Sequence, residues 1–183
     1  MGRERIKNWL GYKVGEAHNL AETGNFEVAM ETYDGILEQI KYLDNPDSLY
    51  VETQLMRAID LRYLAENYNE SLRYSREVYN IVKEKFPENH LTRSNALANI
   101  SECLYKIGNY SEALIFCEEN IELLNKDKVD DDGHHLSNVL FQYGHINDVE
   151  QALQHIHHHN GKGDCQKPLR DITGQHIYVV SSH

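Results

Sequence analysis

The chain has 183 residues and a mass of 21.3 kDa; 40% of its residues are apolar, 26% are charged, and the formal net charge is −11. That balance argues against general binding of nucleic-acid backbones, which rests on Lys and Arg neutralising phosphates, and points to a protein or peptide partner of basic or mixed charge. The opening Met1 to Leu10 mixes charges, and no apolar run is long enough to cross a bilayer, so neither a signal peptide nor a membrane span is expected.

In sequence order, Ala17 and Leu20 lie on a first helical stretch that reverses at Gly24-Asn25-Phe26. Phe26, Ala29, Met30, Tyr33, Ile36, Leu37 and Ile40 then recur at the spacing of a helix that buries one face. Pro46 ends this pair, because proline lacks an amide hydrogen and clashes with the preceding turn. Leu55 and Ile59 open a second pair, which turns at Glu66-Asn67-Tyr68, carries Leu72, Ser75, Val78, Tyr79 and Val82, and stops at Pro87. A third pair holds Leu97, Ile100 and Leu104, the turn Gly108-Asn109-Tyr110, and the stripe Ala113, Leu114, Cys117, Ile121 and Leu124.

The turn phrases at 24, 66 and 108 stand 42 residues apart, a period that marks stacked helix pairs. A fourth, weaker pair is expected around a turn at Asn147, with Leu136, Val139, Leu140 and Tyr143 before it and Val149, Ala152, Leu153 and Ile156 after it. The expected fold class is therefore an all-α solenoid of eight helices over residues 1–159, in units of about 8–45, 48–87, 90–128 and 133–159. Residues 160–183 read as a disordered or loosely packed tail, in which the β-like run Ile177 to Val180 has no strand to pair with.

Several constellations invite a chemical reading that their spacing does not sustain. Among His134, His135, His145, His155, His157, His158 and His159, the pair His155 and His159 has metal-ligand spacing, but no Glu general base accompanies it; no metal site is assigned. In Asp127 to Gly133, placing Gly133 at the glycine of a calcium loop puts Lys128 and Val139 where obligatory oxygen ligands belong. Cys165 and His176 lack an orienting third group, and no phosphate-cradling or nucleophile-elbow motif exists, so no catalytic residue and no cofactor are assigned. Cys103, Cys117 and Cys165 form no CxxC pair and read as reduced thiols of a cytoplasmic protein.

The small residue, Gly-Asn-Tyr turn and Glu-Ala-Leu of Gly108 to Leu114, with the related Gly24 to Met30 and the more divergent Glu66 to Leu72, resemble the tetratricopeptide repeat. The 42-residue length, with Pro87-Glu88-Asn89-His90 before Leu97-Ala98-Asn99-Ile100, is similar to the longer repeats of kinesin light chains and related arrays. This resemblance, spanning about residues 8–158, implies a right-handed superhelix whose first helices line a concave groove that binds peptides. By that resemblance, the groove positions are Arg57, Asn99 and Asn138, with Asp60, Glu102 and Phe141 one helical turn on; Tyr63 and Tyr105 add aromatic contacts. An Asn amide both donates to and accepts from an extended peptide backbone, which suits such a groove. The function implied is a protein-interaction scaffold rather than an enzyme. The alternative is a regulatory or sensor part of a larger signalling protein whose catalytic or nucleotide-binding domain lies elsewhere.

Overall fold

The computed structural model of the protein describes residues 3–43, 47–127, 134–160, 169–170 and 176–177. Among them run seven helices: α1 (Arg3–Glu22), α2 (Phe26–Ile40), α3 (Asp47–Tyr63), α4 (Tyr68–Lys85), α5 (His90–Lys106), α6 (Tyr110–Asp127) and α7 (His134–Asn160). Two strands of two residues each follow, β1 (Leu169–Arg170) and β2 (His176–Ile177). The molecule divides into two compact units, Met1–Asn147 and Asp148–His183.

In the first unit α1 packs with α2, α3 with α4, and α5 with α6. α3 also contacts α1 and α2, while α5 contacts α3 and α4. First helices thus form one layer, and α2 and α4 each fill the groove between two of them. Tyr33, Leu10, Ile36 and Ile40 belong to the apolar core of the first pair, and Val78, Val82, Leu97, Ile100, Leu104 and Cys117 form a separate core across the second and third.

Each reversal depends on one left-handed residue: Gly24 at φ 87°, Glu66 at φ 51° and Gly108 at φ 85°. At the outer two turns the same pair of bonds closes the helix end. Gly24 N–H donates to the Ala21 carbonyl and Asn25 N–H to that of Leu20, at 3.0 and 2.8 Å; Gly108 to Tyr105 and Asn109 to Leu104 repeat them at 3.0 and 2.9 Å. At the middle turn Asn67 N–H reaches one residue further back, to the Leu61 carbonyl at 2.9 Å. Asn67 and Asn89 then cap α4 and α5, their side chains accepting from the amides of Glu70 and Thr92.

Five residues beyond each left-handed turn sits a small one, Ala29, Ser71 or Ala113, all fully buried where the two helices of a pair approach. Ser71 keeps its hydroxyl satisfied there by donating to the Ala58 carbonyl at 2.6 Å.

The expected fourth hairpin does not form: α7 runs unbroken from His134 to Asn160, through the turn predicted at Asn147. The reason lies one residue earlier. Where the other pairs have Gly24, Glu66 and Gly108 before the turn Asn, this segment has Ile146, β-branched and fully buried. A side chain of that shape resists the left-handed conformation that reversal requires, so the helix continues.

In the second unit β1 and β2 pair antiparallel, Leu169 opposite Ile177 and Arg170 opposite His176. Ile177 therefore has a strand partner that the sequence reading did not supply; two-residue strands carry no alternation to detect. The rest of the tail beyond Asn160, with Cys165, lies outside the described residues, as do the Pro46 link and the Lys128 to Gly133 segment.

A polar cluster ties α4, α5 and α6 together around Glu119. The Tyr79 hydroxyl donates to its carboxylate at 2.6 Å and the Arg93 guanidinium at 2.9 Å, with the Lys83 ammonium 3.6 Å away. Burial opposes charge on Glu119, but these donors and cations together outweigh it and hold the carboxyl below its usual range.

Both the middle turn and the Glu119 cluster are open to test. Glu66→Gly removes a left-handed strain while loosening the unfolded state, and should raise stability by about 0.5–1 kcal/mol in urea unfolding, whereas the same change at Asn69, inside α4, should lower it. Because Glu119 has a depressed folded-state pKa, its contribution is present above the usual carboxylate range and is lost as pH falls through the folded value. Glu119→Gln should therefore cost about 1–2 kcal/mol at neutral pH, and the gap to wild type should close as the pH is lowered below about 4.

Candidate functional site

Three first helices, α3, α5 and the Asn138–Ile146 stretch of α7, enclose a cavity of about 650 Å³ within the first unit. Its walls bring together Tyr63, Asn99, Glu102, Tyr105, Asn138 and Phe141, all named from the sequence. Arg62, Lys106, Gln142 and His145 join them. Tyr63 and Phe141 stand 64% and 78% exposed, which leaves two aromatic faces open to a ligand. Asn138 is exposed as well.

The other two sequence-named residues turn away from the cavity. Arg57 pairs with Asp34 of α2 at 2.7 Å and lies over the Tyr74 ring of α4, 4.6 Å from its centre. Asp60 is buried between the first two pairs, 2.8 Å from His18 Nδ1, and accepts a hydrogen bond from the Tyr33 hydroxyl at 2.7 Å. Burial raises the Asp60 carboxyl above its usual range against the pull of Tyr33 and His18, and burial beside Asp60 raises the Tyr33 phenol. Both residues link α3 to its neighbours and are not among the residues that line the cavity.

Asn99 lines the cavity with its amide already engaged. Its nitrogen donates to the hydroxyls of Ser71 and Ser75 at 2.9 and 2.6 Å, and its oxygen accepts from Arg62 Nε. Arg62, 7% exposed, also pairs with the Glu102 carboxylate and lies over the Tyr63 ring at 3.7 Å. One guanidinium thus holds two of the groove residues in place and supports the plane of a third.

Tyr105 and His145 fix α5 to α7, the hydroxyl 2.9 Å from Nε2 and the rings 5.3 Å apart. Burial raises the Tyr105 phenol, so it remains a neutral donor or acceptor. His145, read from the sequence only as one of a histidine series, has this partner in the structure. Among the described residues no cluster of His, Cys, Asp and Glu could hold a metal ion.

Arg62 escapes the sequence reading although a signal for it exists. It stands 42 residues after Leu20 and 42 before Leu104, so a cation occupies an apolar register position, which demands an internal partner. Lys106 and Gln142 follow Glu102 and Asn138 by four residues, one helical turn along the same faces.

No protein-family model matches the sequence, and no curated protein matches it. Solved structures do. Aspartyl phosphate phosphatase F from Bacillus subtilis superposes with a TM-score of 0.70 at 13% identity, over 89% of this chain and 40% of that one. A Podosopora anserina protein described as a kinesin light chain with nearly identical TPR-like repeats superposes with a TM-score of 0.63 at 13% identity, over 88% of this chain and 78% of that one. The fold is accordingly a TPR-like helical repeat solenoid. The chain spans about two fifths of the length of the phosphatase.

Because Asn99 serves the interior, Asn99→Ala should remove the buried acceptor of Arg62 Nε and the amide donor to the Ser71 and Ser75 hydroxyls. It is expected to cost about 1–3 kcal/mol in denaturant unfolding, while Asn138→Ala, at an exposed position, should stay within about 0.5 kcal/mol of wild type.

Proposed function

We propose that the protein is an interaction scaffold that holds a peptide segment of its protein partner in the cavity between α3, α5 and α7. The observation that carries this reading is the convergence of exposed aromatic faces, Tyr63 and Phe141, with unengaged side-chain amides in a cavity of about 650 Å³. That volume takes a few side chains of an extended segment. Asn95 and Asn138 make no hydrogen bond among the described residues and are free to meet a peptide backbone.

In this reading Tyr63, Tyr105 and Phe141 supply apolar contact, Asn138 fixes backbone, and Asn99 with Glu102 orients Arg62. Arg57 and Asp60 act from behind by stacking the helix pairs. The partner is a protein or peptide of mixed charge, and the setting is cytoplasmic, in keeping with Cys103 and Cys117, which are unpaired and buried. Nucleic acid and membrane are not its ligands; no helix among the described residues is long and apolar enough to cross a membrane.

The reading is tested with a partner captured by the native protein and reduced to its binding peptide. Phe141→Asp and Asn138→Ala, both at exposed positions, should each weaken that peptide, the former by about tenfold or more, since a carboxylate replaces a large apolar contact. Ile115→Asp, on the exposed face of α6, should leave the affinity unchanged. The opposite pattern would place binding on the second-helix surface and refute the groove.

A further inference from the structure

We propose that the protein pairs with a second copy of itself through one face of α1, in an antiparallel contact about a two-fold axis. Arg5, Trp9, Tyr12 and Glu16 follow one another at helical spacing and share one stripe of that helix. Trp9 is 44% and Tyr12 71% exposed. α1 packs on α2 and α3, and among the described residues no helix covers this stripe. The same register places further along the chain are interior. Val51, Gln54 and Ala58 of α3, 42 residues on, are all buried, as are Ala96 and Ile100 of α5, because those helices have neighbours on both sides. In repeat arrays a face left to water carries polar residues. Here two aromatic rings hold the middle of the stripe, the residue types that anchor protein interfaces.

The two ends of the stripe decide the occupant. Arg5 is exposed and takes part in no ion pair among the described residues. Glu16 receives the Lys13 ammonium on one carboxylate oxygen at 2.6 Å, which leaves the other oxygen for a second cation. The step from Arg5 to Trp9 equals that from Tyr12 to Glu16. A second α1 turned end for end therefore sets Arg5 of each copy against Glu16 of the other, and Trp9 against Tyr12. One two-fold operation satisfies both charges and both rings twice, as an isologous contact requires. A parallel pairing would instead oppose Arg5 to Arg5 and Glu16 to Glu16. The polarity runs through the whole helix: Arg5, Lys7 and Lys13 outnumber Glu4 in its first half, while the second half has Glu16 and Glu22 and no Lys or Arg. Opposite ends attract, and the second copy supplies the complement residue for residue. Four residues a side make a small interface, so the pairing is weak and depends on concentration.

Sedimentation velocity of the full-length protein reads the pairing, and the emission of Trp9, its single tryptophan, reads the face. Between about 1 and 500 µM the sedimenting mass should rise from 21.3 kDa toward twice that value, with Trp9 emission moving to shorter wavelength as water leaves the ring. Tyr12→Glu, at an exposed position, should keep the helical circular dichroism and lose the dimer. Arg5→Glu and Glu16→Arg should each weaken self-association by about tenfold, because each homodimer then opposes like charges twice. An equimolar mixture of these two variants should recover the wild-type affinity, since every facing pair is again of opposite sign. A protein that stays at 21.3 kDa over that range leaves the stripe to a different protein and overturns the inference. A dimer that Tyr12→Glu does not disturb, or a mixture no tighter than either variant alone, places self-association elsewhere and overturns it as well.

Discussion

The whole arrangement hangs on a single backbone constraint, the left-handed residue that begins each reversal. At Gly24, Glu66 and Gly108 the backbone bends back sharply enough to bring a small residue, Ala29, Ser71 or Ala113, against the preceding helix five residues later. Close approach at that point sets where the next first helix lands, because α2 and α4 are the surfaces on which α3 and α5 pack. Glu66 bears a steric cost for this and occurs at the one turn whose closing bond is wider. Where the constraint is absent, at Ile146, the helix goes on past the place of the turn, and its Asn138–Ile146 stretch lines the cavity as a first helix would.

Between successive first helices the cohesion is polar as well as apolar. His18 with Asp60 joins α1 to α3, Arg62 with Asn99 and Glu102 joins α3 to α5, and Tyr105 with His145 joins α5 to α7. His18, Asp60 and Glu102 occupy the same register place in three units, 42 residues apart. Exposed ion pairs contribute little, but Asp60 and Arg62 are buried and multiply bonded, and buried polar groups of this kind constrain which neighbours fit. They specify the stacking order of helices whose apolar stripes are otherwise alike.

The sequence made the periodicity legible because the period is carried by glycine, asparagine and small residues whose backbone roles are narrow. Helix positions and three of the four turns therefore match the structure closely. Side-chain engagement is a different matter. Asn99 and Asp60 sit at the register places expected of groove residues, yet whether such a side chain faces a ligand or a neighbour depends on residues distant in sequence: Ser71 and Ser75 for Asn99, Tyr33 for Asp60. No spacing rule contains that information. The fourth turn departs from expectation for a related reason, since Asn147 resembles the other turn asparagines while the decisive residue is the one before it.

Charge is where local geometry departs furthest from composition. A net charge of −11 favours basic partners only if the acidic residues face the ligand. Here Glu119 is held by Arg93 and Tyr79, Asp60 by His18 and Tyr33, and Glu102 by Arg62, so many of the carboxylates that dominate the total are consumed in joining helices. Screening confines the rest, since charges on the far side of the layer lie beyond the roughly 8–10 Å over which exposed charges act in physiological salt. Within the cavity the charged lining residues are Lys106 and the Arg62 and Glu102 pair, so the local balance differs in sign from the total.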